Sequence, residues 1–400
     1  MTNFLIGRQP IYDRQHNVFA YELLFRDENN RAPALSEGTQ ASNQIIVDTL
    51  LEHGLHRIVG SHRAFINFTR DNILEGTPLL LPKDRVVVEV LESVAIDQTL
   101  IDAVRDLSRQ GYMIALDDFQ FSEEWVPLLR LADIVKLDAQ LDGEAEARAC
   151  VECLKPFSIR LLAEKVETEE QIRFYEELGC HYFQGYYFQR PHIVKGKRID
   201  SARQAGIRLL AEINRPDIEL DELCAVIAQD VGISYKLLRY INSSFFALPS
   251  KVDSIQRAVM LLGLLELKRW ASLVALSSVP GKPQELIRTA LIRAKMCELL
   301  AAGAGEKKTD QYFLAGMLSI LDQLLDGHLE EVLQDLPLTP VLLSALLGHE
   351  GDSGAALQCA LHYEHWRLDA VAYRDFGPQA IGKTYLDAVA WANEVMELLN

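Results

Sequence analysis

The sequence lacks any apolar run that approaches the roughly 20 residues needed to span a lipid bilayer as a helix. It also lacks a signal-peptide pattern, because charged and turn-forming residues interrupt the opening segment MTNFLIGRQPIYDRQ at once. These two absences argue against a membrane-spanning or secreted protein. They predict a cytoplasmic chain with no membrane span.

Cysteine is scarce as well, since the 400 residues include only six, and these are scattered. Such spacing argues against the disulfide framework of a small secreted domain. Cys150 and Cys153 form one CxxC pair, but no second cysteine pair or histidine pair completes a zinc site. We therefore interpret them as two thiols on one face of a helix.

Positive charge is the third shortage: 40 lysines and arginines face 57 aspartates and glutamates, which leaves a net charge of −17. This balance argues against a general nucleic-acid surface and against an anionic-membrane surface. An anionic ligand would need local cations or metal ions. Hydrophobic residues are plentiful at 49%, so the chain can form large cores, and its length predicts two or three domains.

Residues 1–195 alternate short β-rich runs with helical stretches. We predict eight strands, at NFLIGRQPIY, VFAYELLF, AFINF, VVVEV, MIALDDF, DIVKLD, RLLAEKV and YFQGYYF. Strands that alternate with helices indicate a parallel sheet with both faces covered. About eight strands in this length favour a TIM-like β/α barrel, with a doubly wound open sheet as the alternative.

Residues 196–400 show no comparable β pattern. Their apolar residues recur at spacings of three and four, which is typical of amphipathic helices packed on one another. Asp253 and Ser254 resemble a helix N-cap pair, and Gly263 is a plausible helix break. The second half is therefore predicted to be an all-α domain.

Polar residues stand at the end of nearly every predicted strand of the first half. In a parallel barrel these strand ends meet at one face, where active sites lie. A single acid there is usually a helix cap or a solvated charge, but seven successive strands with such ends are different. Buried carboxylates in that number must be neutralised, and the sequence offers few local lysines or arginines, so divalent cations are favoured. The residues are Glu22, Arg26, Asn67, Glu89, Glu92, Asp117, Asp118, Lys136, Asp138, Glu164, Glu167 and Gln184.

The adjacent acids Asp117 and Asp118 suit a site with two ions. Two ions about 3.5–4 Å apart can activate a water, hold a phosphate and stabilise the leaving oxygen. Asp117 with Asp118 could serve both ions, and Lys136 could orient the attacking water or balance the phosphate charge. The pattern favours phosphate-ester chemistry.

In this order the motifs resemble those of EAL domains, the bacterial phosphodiesterases that open cyclic di-GMP to linear pGpG. The ExLxR motif spans Glu22 to Arg26 and is followed by INF, EVLES, LDDF, VKLD, AEKVET and FQGYYF, over nearly all of residues 3–195. Each motif alone is weak, whereas the ordered set is specific. The resemblance implies a barrel that binds Mg²⁺ or Mn²⁺, with two ions expected.

The family's site residues can be carried over one by one. The metal ligands that the resemblance implies are Glu22, Asn67, Glu89 and Asp117, with Asp118 at the second ion. The groups implied around them are Lys136, Glu164 and Gln184, which would position water and outer-shell groups, and Glu92, which would brace the loop after the aspartates. The substrate-binding residues that the resemblance implies are Arg26, which would contact a phosphate, and Glu22.

Two positions depart from the family's pattern. Active members usually continue the double aspartate as DDFGxG, whereas this chain reads DDFQFSEEW, and Lys165 replaces the glycine of AEGVE. Glycine permits backbone angles that other residues resist. The loop either takes another conformation around a working site, or the domain is a cyclic di-GMP receptor or a protein-interaction scaffold. A phosphodiesterase for another nucleotide is a third, weaker interpretation.

The second half resembles HDOD domains, helical modules related to HD phosphohydrolases, through LLRYINSSFF, SIQRAVMLLGLLELKRW and FLAGMLSILDQLL. An HD enzyme needs a histidine followed by an aspartate to hold metal. None of the four histidines in this half, His328, His349, His362 and His365, is followed by one. The resemblance therefore implies a module that binds an unidentified signalling protein. A homodimer is a further partner expected from the family, in which the loop after the aspartates takes part in dimer contact.

Overall fold

The computed structural model describes residues 4–27, 54–140 and 143–185 of the first half. In the second half it describes 209–228 except 214 and 216, a few positions between 235 and 252, then 255–277, 282–325, 327–334, 336 and 338–399. The chain divides into two compact units, Met1–Arg190 and Pro191–Asn400. The predicted boundary at residues 195 and 196 lies outside the described residues and stays a prediction.

The first unit is a closed barrel of eight strands in sequence order, which confirms the predicted TIM-like fold. The strands are β1 (Phe4–Asp13), β2 (Val18–Asp27), β3 (Arg63–Phe68), β4 (Val86–Val90), β5 (Met113–Leu116), β6 (Ile134–Asp138), β7 (Arg160–Glu164) and β8 (Tyr182–Phe183). From β2 to β8 each strand runs parallel to the next.

Strand β1 is the exception, because it runs antiparallel to both of its neighbours, β2 and β8. This corrects the expectation of an entirely parallel sheet. The side chain of Asp13 accepts hydrogen bonds from the backbone N–H groups of Gln15 (2.9 Å) and Asn17 (2.8 Å), which forms a tight turn. A connection this short joins only antiparallel strands, since a parallel crossover needs about a dozen residues or more.

Helices follow the strands at positions that local sequence signals explain. Asp97 caps α3 by accepting from the N–H of Leu100, and Thr168 with Gln171 forms a capping box at the start of α6. Cys150 and Cys153 both lie in α5, and neither forms a disulfide. The helices of this unit are α1 (Leu55–Val59), α2 (Arg70–Leu74), α3 (Gln98–Gln110), α4 (Val126–Leu129), α5 (Glu144–Leu154) and α6 (Glu169–Leu178).

One apolar side chain from each strand fills the interior of the barrel. These residues lie on the inward face because side chains alternate along a strand with a period of two. We call them the floor layer, because they close the barrel beneath its mouth. They are Ile11, Ala20, Phe65, Val87, Ala115, Ile134, Leu162 and Tyr182.

The second unit is helical in the described residues. Gly263 breaks the helical backbone of α8 with φ 76° and ψ 166°, as the sequence predicts. The predicted N-cap pair Asp253 and Ser254 lies outside the described residues. The helices are α7 (Leu220–Ala228), α8 (Ile255–Ser277), α9 (Gln284–Gly303), α10 (Asp310–Leu318), α11 (Leu321–Leu325), α12 (Leu329–Gln334), α13 (Pro340–Gly348), α14 (Gly351–Glu364) and α15 (Pro378–Leu399).

Helix α9 forms the centre of this unit and packs against α10, α14 and α15. Helices α9 and α10 approach so closely that a Cβ atom on Gly316 would lie 2.5 Å from backbone atoms of Arg293 and Ala294. Only glycine fits at that crossing. Among the described helices, none combines the length and the apolar content that a membrane crossing requires.

Candidate functional site

The polar residues at the strand ends form a ring directly above the floor layer. Each lies two positions closer to the mouth than the floor residue of its own strand, so it points inward for the same reason. All eight strands contribute one member. The polar ring consists of Gln9, Glu22, Asn67, Glu89, Asp117, Lys136, Glu164 and Gln184.

Lys136 occupies the centre of the polar ring. Its ammonium nitrogen lies 2.6 Å from Asp117 Oδ1, 2.8 Å from Glu89 Oε1, 3.4 Å from Glu164 Oε2 and 3.6 Å from Glu22 Oε2. Its side chain is fully buried, at 0% exposure. The sequence-based expectation that few cations are at hand is therefore too simple, because this lysine contacts four carboxylates at once.

One ammonium group does not balance four carboxylates. Burial raises the pKa of the Glu89 and Glu164 carboxyl groups well above their usual range, although the Lys136 ammonium opposes that shift. Burial alone would lower the pKa of Lys136, but the surrounding carboxylates hold it well above its usual value. Without a further cation the buried carboxyl groups therefore retain protons more readily, and a divalent ion bound to the ring would take the place of those protons.

Glu22 is held in place by two amide side chains of the ring. Gln184 Nε2 donates to Glu22 Oε2 (2.7 Å), and Asn67 Nδ2 donates to Glu22 Oε1 (3.3 Å). Gln184 Nε2 also donates to Gln9 Oε1 (3.0 Å), and Gln9 lies opposite Glu22 in the β1–β2 register. Sequence reasoning did not find Gln9. The signal available was a polar residue inside an apolar strand, two positions before Ile11.

Several buried oxygens of the ring accept no hydrogen bond from any residue that the structure describes. A buried oxygen without a partner is costly unless a ligand or an ion completes it. Carboxylate and amide oxygens are the ligands that Mg²⁺ and Mn²⁺ prefer, so the residues present fit a divalent cation. The atoms are Asn67 Oδ1, Glu89 Oε2, Glu164 Oε1 and Gln184 Oε1.

A second acidic group lies at the outer side of the ring. Single carboxylate oxygens of Glu92, Asp117 and Asp118 lie within 4.8 Å of one another. Asp117 thus belongs both to the ring and to this outer set, and its sharing by two metal ions stays a prediction. The Glu92 carboxylate stands beside the double aspartate, and its expected role of bracing the loop stays a prediction.

The outer set differs from the ring in that a second lysine, Lys165, contacts it. Lys165 Nζ lies 3.3 Å from Asp118 Oδ1 and also forms an ion pair with Asp138. Asp138 is buried, and its Oδ1 accepts the backbone N–H of Gln140 (2.7 Å). Sequence reasoning noted Lys165 only as the replacement of a glycine, and the structure shows that it contributes a positive charge beside Asp118.

The unusual loop after Asp118 is anchored by its aromatic residues. Phe119 is buried, packs edge-on against Trp125 with ring centroids 5.7 Å apart, and donates its backbone N–H to the carbonyl of Lys136 (3.2 Å). Phe121 is exposed. Asp118 itself adopts φ 39°, in the left-handed region. The loop thus replaces the family's glycines with packing on β6, and Asp118 stays at the mouth.

Most of the predicted site residues lie together in the structure. The ring contains seven of them, and Glu92 and Asp118 stand at its outer side. Arg26 is placed differently, since its guanidinium donates to the backbone carbonyl of Phe25 (2.9 Å). The catalytic, substrate-binding and metal-binding roles assigned to these residues stay predictions. An eight-stranded barrel with this ring is a candidate site for divalent cations with oxygen ligands.

Comparison with known proteins gives the family. The EAL domain model matches residues 3–191, and the HDOD domain model matches residues 201–338. The uncharacterized protein YuxH of Bacillus subtilis is 32% identical over 98% of this chain and 98% of its own length. The cyclic di-GMP phosphodiesterase CdgJ of Vibrio cholerae is 32% identical over 100% of this chain and 94% of its own length. The chain belongs to the family of proteins that join an EAL domain to an HDOD domain.

Among solved structures, the barrel is similar to the PaMucR phosphodiesterase in its c-di-GMP complex. The identity is 24% over 47% of this chain and 96% of that chain, with a TM-score of 0.40.

Proposed function

We propose that the barrel is a metal-dependent phosphodiesterase that hydrolyses cyclic di-GMP to linear pGpG. We further propose that residues 1–195 are its catalytic domain and that residues 196–400 are a signalling module that binds a partner protein. The full-length relative from Vibrio cholerae carries the name of a cyclic di-GMP phosphodiesterase, which supports this substrate. The observation that carries the proposal is the complete polar ring around the buried Lys136.

The inner part of the ring would hold one Mg²⁺ or Mn²⁺ ion, and the outer set would hold a second. The inner ligands would be Glu22, Asn67, Glu89 and Asp117, and the outer ligands would be Asp117 and Asp118, with Glu92 beside them. When bound, such ions lower the pKa of a water and neutralise a phosphate.

Lys136 would act on the attacking water and on the phosphate through its ammonium group. Because it is fully buried, its charge is little screened by solvent, and charge that builds up on the phosphate is stabilised more strongly than in water. Glu164 lies 3.4 Å from this ammonium, and its Oε1 is buried with no hydrogen-bond partner among the described residues; in this proposal it would accept a proton from the water. Gln184 fixes Glu22 in its orientation.

Arg26 is proposed to meet a phosphate of the substrate. It follows Glu22 by four residues on β2, so it lies on the same side of the strand and nearer to its end. Its present hydrogen bond is to a carbonyl one residue away, which uses one of its five donors. The remaining donors suit a phosphate oxygen.

A cyclic di-GMP receptor without turnover is the second candidate function. Two observations favour it: the loop after Asp118 departs from the family pattern, and the Lys165 ammonium contacts Asp118. Both affect the outer set, and the loop meets the ring at the backbone carbonyl of Lys136, to which Phe119 donates its N–H. A receptor would bind the nucleotide through the ring and report through the helical unit.

A paired measurement on the full chain separates the two functions. Binding of cyclic di-GMP is measured in Ca²⁺, and formation of pGpG is measured by chromatography in Mg²⁺ and in Mn²⁺. We expect binding in Ca²⁺ and slow cleavage in the other two, with none in EDTA. Binding without cleavage would establish the receptor, and the absence of both would leave a protein-interaction scaffold.

Asp117→Asn is expected to remove most of the heat of Mn²⁺ binding in calorimetry, because this carboxylate belongs to both proposed ligand sets. Asp102→Asn is the matched control, since Asp102 is exposed on α3 and pairs with Arg105. The control is expected to bind Mn²⁺ like the unaltered chain. Equal Mn²⁺ binding by both variants would remove Asp117 from the metal site.

A further inference from the structure

Lys165 stands in a backbone conformation that does not suit lysine. It follows the last residue of β7 and adopts φ 54°, in the left-handed region that favours glycine and, less strongly, asparagine and aspartate. Asp118, which it contacts, also adopts a positive φ of 39°. Two residues with unfavourable backbone angles therefore meet through their side-chain charges at the mouth of the barrel.

The Lys165 ammonium links two aspartates on neighbouring strand ends. Asp138 is buried and is fixed by the backbone N–H of Gln140 (2.7 Å), so it anchors the ammonium firmly. The second partner is Asp118 Oδ1 at 3.3 Å. The ion pairs of Lys165 thus fall on the outer side of the site, whereas those of Lys136 fall on the ring.

We propose that Lys165 competes with the outer metal ion for Asp118, so that the outer ion binds more weakly than the inner one. This inference rests on the proposed metal-dependent function. A carboxylate that is paired with an ammonium has less negative charge to offer a cation, and the ammonium repels a divalent ion that shares the same carboxylate.

The Lys165 side chain is able to make way for an ion. It is 45% exposed, in contrast to Lys136 at 0%, so its ammonium can turn away from Asp118 toward solvent. It can do so while it keeps its ion pair with the buried Asp138, whose carboxylate then stays paired. Lys165 therefore makes occupancy of the outer site depend on the metal concentration, while the inner site fills first.

The test is a titration of the metal-free full chain with Mn²⁺ alone. Binding is monitored by calorimetry and by the electron spin resonance signal of free Mn²⁺. We expect two binding steps in the unaltered chain, the second weaker. Lys165→Gly, which removes the charge and relieves the backbone, is expected to tighten the second step roughly tenfold and leave the first unchanged. Lys165→Arg keeps the charge and is expected to behave like the unaltered chain.

The outcomes separate this inference from the function on which it rests. A single step in the unaltered chain and two steps in Lys165→Gly would also support the competition. A second step of equal strength in the unaltered chain and Lys165→Gly would overturn it, with the metal-dependent function still standing. Absence of any Mn²⁺ binding in all three chains would overturn both.

Discussion

Lys136→Met is expected to lower the rate of cyclic di-GMP cleavage roughly 10²- to 10³-fold and to destabilise the barrel by about 3–5 kcal/mol in the absence of metal. Under the proposed function the rate would fall because the variant lacks the buried charge that is proposed to face the reacting phosphate. The stability falls because the four carboxylates around Lys136 are left buried and mutually repelling. Calorimetric unfolding in EDTA should show a decrease of roughly 10 °C for a unit of this size.

Lys155→Met provides the matched control for this variant. Lys155 is 63% exposed, directly follows α5 and pairs with Glu152 of that helix, so its removal is expected to change stability by no more than about 0.5 kcal/mol. The cleavage rate should stay unchanged. If Lys136→Met unfolds at the temperature of the control, the buried lysine does not neutralise the ring.

Added Mn²⁺ distinguishes the electrostatic explanation from loss of packing. A divalent ion that binds the folded barrel relieves the repulsion among the carboxylates, so it should raise the unfolding temperature of Lys136→Met more than that of the unaltered chain. A cavity left by a shorter side chain would not be corrected by an ion. An equal increase in both chains would favour the packing explanation.

The barrel and most of its polar ring could be predicted because both follow from the alternation of side chains along a strand. A side chain two positions beyond a floor residue points to the same interior, so Glu89 after Val87 and Asp117 after Ala115 follow from the strand pattern itself. Gln9 could not be found in the same way. Strand β1 runs antiparallel, so its residue at the mouth comes two positions before the floor residue.

The sequence pattern did not predict which charged groups of the site contact one another. Lys136 was assigned a role toward water and phosphate, but its simultaneous contact with four carboxylates depends on strands that are far apart in the chain. The pairing of Lys165 with Asp118 spans 47 positions and depends on two unusual backbone conformations. Neither periodicity nor local propensity carries such information, and the roles of these residues stay predictions.

In the helical unit, too, the sequence pattern predicted the helices but not the contacts between their polar side chains. Apolar spacing predicted its packed helices, and Gly263 marked a real break in α8. The spacing says nothing about which polar residues meet inside the bundle. Arg293 on α9 meets Glu364 on α14 across 71 positions, and the close approach at Gly316 sets the distance between α9 and α10 around it.

Arg293→Met is expected to destabilise the helical unit by about 3–5 kcal/mol, because it removes the buried guanidinium that pairs with Glu364. The guanidinium is 5% exposed, and it donates to both carboxylate oxygens of Glu364, each at 2.7 Å. It also donates to Ser319 Oγ (3.1 Å). Hydrogen exchange of the full chain measures the effect locally, since peptides from α9 and α14 should lose protection while those from the barrel keep it.

Two further variants distinguish the destabilisation caused by breaking the ion pair from that caused by removing the volume of the arginine side chain. The double variant Arg293→Met with Glu364→Leu removes both charges and should recover most of the protection, because an apolar pair of similar volume often replaces a buried ion pair at little cost. Lys383→Met breaks an exposed pair with Asp387 on α15 and should change protection little. If the double variant exchanges as fast as Arg293→Met, the broken ion pair is not the cause, and the cavity left by the guanidinium accounts for the loss of protection.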